Sequence, residues 1–181
     1  MRLLEAQRGR SVRMGDIAKA AGISRQAVYL HFASRAELLA ATTLYLDEKL
    51  GLEKRLARSR AARSGMERLD AYIEFWGHYI PEIYGVARAL LVAQDSDEAA
   101  AAAWDERMGA MRDGCSAAIE ALHSDGQLAE EWNIKTATDF LWTLLSVRNW
   151  EHLTQVCGWS SRTYIKRMQA AARRTFIGGP R

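Results

Sequence analysis

Proline is scarce in this chain, with two in 181 residues, so little stands in the way of long helices. Runs that alternate apolar and polar residues, as half-buried strands do, are also missing. No apolar stretch is long enough to span a bilayer, and the N-terminus has no signal-peptide pattern. Two cysteines, Cys115 and Cys157, stand far apart without a metal-ligating neighbour and read as buried reduced thiols. The four histidines, His31, His78, His123 and His152, lack metal-ligand spacing. There is no glycine-rich phosphate loop, no nucleophile elbow and no HExxH. These absences leave nothing that points to an enzyme, a metal site or a cofactor.

What is present is helical composition and an uneven charge. The formal net charge is +3. Residues 1–60 carry 12 Lys/Arg against 6 Asp/Glu, a balance of +6, whereas residues 61–181 carry 13 against 16, a balance of −3. A basic N-terminal third on an acidic remainder is the pattern expected when only that third meets phosphates.

The most informative segment is Met14–Leu39, MGDIAKAAGISRQAVYLHFASRAELL. Ile17, Ala18 and Ala21 share the inner face of a first short helix. Gly22 stands where that helix must stop and the chain turn, a place suited to a left-handed residue. Ser24 can cap a second helix, on which Val28 and Phe32 fall on one buried face. Ser34-x-x-Glu37 is a capping box that opens a third, running through Leu38, Leu39 and Leu46 toward Leu56. Two short helices joined by a tight turn serve to place the second in the major groove of DNA. Ser24, Arg25, Gln26, Ala27 and Leu30 then lie toward the groove. Arg25 can donate a bidentate pair to guanine and Gln26 can pair with adenine, while Ala27 or Leu30 can touch a thymine methyl. Arg13 and Lys19 are further candidates for phosphate contacts.

The run Ile17-Ala-x-x-Ala-Gly-Ile-Ser, then Val28-Tyr-Leu-His-Phe32, then Ser34-Arg-x-Glu-Leu-Leu39, resembles the tetracycline-repressor (TetR) family of bacterial regulators. The likeness covers about a fifth of the chain. It implies phosphate-positioning roles for Tyr29, His31 and Arg35. It also implies a full helix before Gly9, whereas Leu3–Arg8 offers about half that length, as a late start or a shortened first helix would give.

The expected fold is therefore all-α: a helix-turn-helix head over residues 1–45 and a helical body for effector binding and dimerisation over 46–181. The charged stretch Glu53–Ser64 reads as the hinge between them. In the body, Leu69, Tyr72, Ile73, Trp76 and Ile80 recur at helical spacing up to Pro81, which ends or restarts the helix. Ile83–Ala93 and Asp97–His123 predict further helices, and Asp125-Gly126 closes the latter. Lys135–Val156 predicts a helix apolar on most sides, broken by Gly158, and Ser160 or Ser161 can cap a last helix through Phe176.

One head buries too little surface to select a site in a genome, which implies a homodimer on a two-fold operator in double-stranded DNA. Residues 135–176 are the candidate dimer interface; the alternative is that the long apolar helix is central to the core of a single chain. All six tryptophans fall in the body. By resemblance, Tyr72, Trp76, Tyr79, Trp104, Met108, Met111 and Trp142 are candidates to line a small-molecule effector pocket, with Arg148, His78 or Asn149 as polar anchor. Aromatic stripes at this spacing are more often core. The resulting expectation is a cytoplasmic, nucleoid-associated regulator released from its operator by a small molecule. The competing reading is a DNA-bound scaffold that senses nothing.

Overall fold

The turn at Gly22 is the point on which the N-terminal part of this fold depends. The computed structural model describes residues Arg13–Gly178, so the short helix expected over Leu3–Arg8 lies outside the described residues. Helix α1, Met14–Ala21, is closed at its start by Asp16, whose carboxylate accepts from the Arg13 backbone N–H at 2.9 Å. At its end Gly22 adopts φ +69°, and the Gly22 and Ile23 amides fold back onto the carbonyls of Lys19 and Ala18. Helix α2, Arg25–His31, starts at once, because the Ser24 hydroxyl accepts from the Ala27 amide at 3.0 Å. Helix α3, Arg35–Lys49, opens on the Ser34 cap, whose Oγ accepts from the Glu37 amide; the Glu37 carboxylate reaches past Ser34 to accept from the Ala33 amide at 2.6 Å, so half of the expected capping box forms.

Met14, Ala18, Val28 and Leu38 form a small buried core, with Ile17 and Phe32 packed against it. Each of the three helices contributes to it, so the placement of α2 follows from four side chains.

Helix α3 does not continue to Leu56. Gly51, at φ +65°, ends it, and a separate helix α4 occupies Leu52–Arg60. The stretch read as a charged hinge is thus largely helical; Glu53 and Arg60 pair across it. Helix α5 runs without interruption over Gly65–Ala93, with Pro81 inside. Proline in a helix interior costs about 3 kcal/mol, but Pro81 faces solvent while Tyr79, Ile80 and Tyr84 around it are buried. Burial on the opposite side holds the helix together across the missing N–H bond. Helix α6 follows over Glu98–Ser124.

The expected single helix over Lys135–Val156 is divided into three. Helix α7 spans Ile134–Leu144, helix α8 spans Val147–Glu151, and a π-helical turn covers His152–Val156. Ser146 causes the first break: its backbone is extended (ψ 150°) and its hydroxyl accepts from the Asn149 amide, capping α8 in place of continuing α7. Helix α9, Ser161–Phe176, begins at Ser160, which accepts from the Thr163 amide at 3.1 Å. No regular strand occurs among the described residues; a single bridge joins Leu128 to Ile177.

The chain forms two compact units. One extends to Gly51 and includes Glu82–Met108; the other comprises Leu52–Pro81 and the chain from Gly109 onward. In the first, α3 buries Ala36, Leu39 and Leu46 against Val86, Ala89 and Leu90 of α5 and Ala100 and Ala103 of α6. Arg107 pairs with Asp47 in the same unit, tying α6 to α3. In the second, Leu69, Ile73, Ile80, Ile119, Leu122, Leu141, Leu145, Tyr164 and Phe176 are fully buried. Trp132, Phe140 and Phe176 stack there with centroids 5.3–6.1 Å apart, and Trp132 Nε1 donates to the Thr175 carbonyl at 2.8 Å.

Candidate nucleic-acid interface

Helix α2 turns one face inward and the rest outward. Val28 is buried at 3% exposure, whereas Ser24, Arg25, Gln26, Tyr29, Leu30 and His31 are all exposed. Leu30, at 85%, has the greatest exposure of any large hydrophobic side chain among the described residues. Ala27 and Arg35 are half-buried, and Arg13 and Lys19 are exposed. The structure thus brings Arg25, Gln26, Tyr29 and Leu30 together around one open surface depression.

Within that face one pair is ordered. Arg25 Nη2 donates to the Tyr29 hydroxyl at 3.4 Å, and the guanidinium carbon lies 5.5 Å from the Tyr29 ring centroid. Four residues separate them, so they are neighbours one helical turn apart. The hydrogen bond to Tyr29 raises the Arg25 pKa above its ordinary value. Gln26 carries an amide that can both donate and accept, the combination that matches adenine's major-groove edge.

Cations outnumber carboxylates around this helix, four to two between Arg13 and Leu39. Between Arg13 and Leu39 the carboxylates are Asp16 and Glu37, and each is engaged by a backbone amide at a helix start. The outer face of α2 itself carries a cation and hydrogen-bonding groups and no carboxylate.

Comparison with known proteins agrees with this geometry. Residues 1–42 match the family model for bacterial regulatory proteins, tetR family. The chain carries a TetR-family head. The likeness to solved structures extends beyond the head. A Saccharomonospora viridis protein described as a transcriptional regulator, solved in complex with choline, superposes with a TM-score of 0.78 at 18% identity, covering 98% of this chain and 93% of that one. A TetR-family transcriptional regulator from Agrobacterium tumefaciens gives 0.72 at 16% identity, covering 97% and 95%. The TetR-family regulator PfmR from Thermus thermophilus gives 0.67 at 19% identity over 100% of both chains. No curated protein matches the chain in sequence. The fold of these regulators, a helix-turn-helix head on an all-helical body, is the fold of this chain.

The residues expected to line an effector site fall as follows. Tyr72, Trp76, Tyr79 and Met111 are buried in the second unit. The Tyr72 hydroxyl donates to the Met111 carbonyl at 2.8 Å, and Trp76 Nε1 donates to the Leu145 carbonyl at 2.7 Å. Phe75 bridges Tyr72 and Tyr79, with ring centroids at 6.1 and 5.3 Å. Trp142 is half-buried in the same unit. Trp104 and Met108, both half-buried, belong to the first unit, where Trp104 packs on the cluster around Leu46 and Leu90. His78, Arg148 and Asn149 are exposed, and the Asn149 side-chain amide donates to the Thr143 carbonyl.

The second unit also holds a polar cluster that periodicity did not single out. Cys115 is buried beside Tyr72, and burial pushes its thiol up to about 12. The Tyr164 hydroxyl is fully buried with no hydrogen-bond partner, and burial raises its pKa as well. Cys157, in contrast to the sequence-based reading, is exposed: it follows the π-helical turn at the bend before Gly158. Among the described residues no group of three or more potential ligands could hold a metal ion, and no helix is long and apolar enough to cross a membrane.

Proposed function

We propose that this protein is a ligand-responsive transcriptional regulator that acts as a repressor, binding a two-fold operator as a homodimer through α2 and leaving it when a small molecule binds the body. The observation that carries the DNA-binding part is the outward face of α2, where Arg25, Gln26, Tyr29 and Leu30 stand exposed on a helix anchored by buried Val28. Arg25 and Gln26 supply base-edge contacts, and Tyr29, His31, Arg35 and Arg13 position the head on phosphates.

Two observations support the dimer through residues 135–176. Phe140, on α7 beside the buried Leu141, is 45% exposed, and Val156, at the end of the π-helical turn, is 71% exposed. The effector assignment rests on Tyr72, Trp76, Tyr79, Met111 and Trp142, which share one unit, and on the choline-bound relative as an example of a small molecule held by this fold. For release, the effector must bind better to the conformation in which the two heads no longer fit successive major grooves.

The test is a gel shift of the purified protein on DNA from upstream of its own gene, with scrambled competitor, at several salt concentrations. Tighter binding to the upstream DNA that weakens steeply with salt is the expected result. Equal affinity for scrambled DNA contradicts operator recognition there.

A further inference from the structure

We infer that Leu30 reads the C5 methyl group of a thymine in each half of the operator, so that a methyl contact contributes to sequence choice alongside the polar contacts of α2. This inference rests on the DNA-binding reading above and adds a specific chemistry to it.

Leu30 is 85% exposed, with no packing role in the head, whose core is built from Met14, Ala18, Val28 and Leu38. Leu30 is left in water on a short, capped helix, and what singles it out is its place beside side chains able to meet base edges. Its surroundings narrow the choice. Leu30 shares one open depression with Arg25, Gln26 and Tyr29, and the nearby carboxylates, Asp16 and Glu37, are engaged in helix caps. The occupant must therefore present a small apolar group within a polyanionic, hydrogen-bonding surface. Duplex DNA does this in the major groove: the thymine methyl is the apolar group on the base edges, set between phosphates that match the cations.

Ala27 is the other apolar residue near the groove face, but it is half-buried and short, and its amide is bound to Ser24. Leu30 reaches further, on the side opposite Val28.

The experiment begins with a pool of duplexes carrying a randomised centre, from which the full-length protein selects its preferred site. Each thymine of that site is then replaced by uracil, which removes only the methyl. The expected result is one thymine per half-site whose replacement weakens wild-type binding about fourfold, and about fifteenfold when both halves are changed, as hiding one methyl each predicts. Leu30→Ala should bind the thymine and uracil sites alike, and Leu30→Val should show an intermediate loss. Because Leu30 is exposed, neither variant should shift the melting temperature. A selected site at which every uracil is neutral to the wild type overturns this inference alone, as does a Leu30→Ala variant that keeps the full uracil penalty. Failure to enrich any sequence overturns the DNA-binding reading as well.

Discussion

The guanidinium of Arg25 lies over the ring of Tyr29 and also reaches its hydroxyl, four residues along the same exposed helix face. The pair gives Tyr29 a role beyond phosphate contact, since a stacked and hydrogen-bonded arginine loses less freedom when it meets a base. Tyr29→Phe keeps the ring and removes the hydroxyl; it should weaken binding to the selected site roughly threefold, and Tyr29→Ala about tenfold or more. Affinity for scrambled DNA should fall less in both, by the phosphate contact alone. Equal losses on selected and scrambled DNA would assign Tyr29 to phosphates alone.

The position of α2 depends on two local devices, the Ser24 cap and the left-handed Gly22. Ser24→Ala should cost about 1 kcal/mol of stability. Gly22→Ala should cost about 1–2 kcal/mol, entirely from conformation, because a Cβ there meets nothing within 4 Å. Urea titration followed by circular dichroism reads both. A stabilised Gly22→Ala protein would mean the turn does not hold its positive φ.

Asp47 and Arg107 join α3 to α6 within the first unit, with side chains 20% and 24% exposed. A half-buried charged pair of this kind should show a coupling of about 1–2 kcal/mol in a double-mutant cycle with Asp47→Asn and Arg107→Gln. Additive effects of the two substitutions would show that the pair contributes no interaction of its own.

The two cysteines should differ sharply in reactivity. A thiol reagent at neutral pH should label Cys157 in the native protein and reach Cys115 only after unfolding, because Cys115 is fully buried with its thiol pushed up to about 12. The same shift sets an alkaline limit. Cys115 ionises near its ordinary value of 9.0 when unfolded but stays neutral in the fold, so its contribution is complete below about pH 9 and is lost as pH rises toward 12. The sign follows from burial: the unfolded chain gives up this proton first, so rising pH favours unfolding. Burial raises Tyr72 and Tyr164 in the same direction. Stability should therefore fall above pH 9, and Cys115→Ala should make that fall shallower. An unchanged pH profile in the variant would remove Cys115 from the account.

The head was legible in the sequence because its signals are local. Gly22, Ser24 and Ser34 each act within four residues of themselves, and the structure places each turn and cap where those residues predict it. Exposure of Arg25, Gln26 and Leu30 followed from the helical period once Val28 was assigned inward. The body was less legible because competing signals are settled by packing. Pro81 is a helix breaker by propensity, yet the buried residues flanking it carry α5 through. Ser146 is unremarkable within an apolar run, yet its hydroxyl caps a new helix and breaks the expected long one. Cys157 looked like a core residue by type, but the π-helical turn before it leaves it at the surface.

The central claim is that α2 recognises a DNA sequence through its exposed face. Its most direct test is the affinity of wild type and Arg25→Ala for the pool-selected duplex and for a scrambled duplex of the same composition, across a series of salt concentrations. The wild type should prefer the selected duplex by about a thousandfold or more. Arg25→Ala, which removes one contact in each half-site, should lose about 30-fold or more on the selected duplex and little on the scrambled one, with an unchanged melting temperature. Equal wild-type affinity for the two duplexes, or an Arg25→Ala variant with full selectivity, would contradict the account.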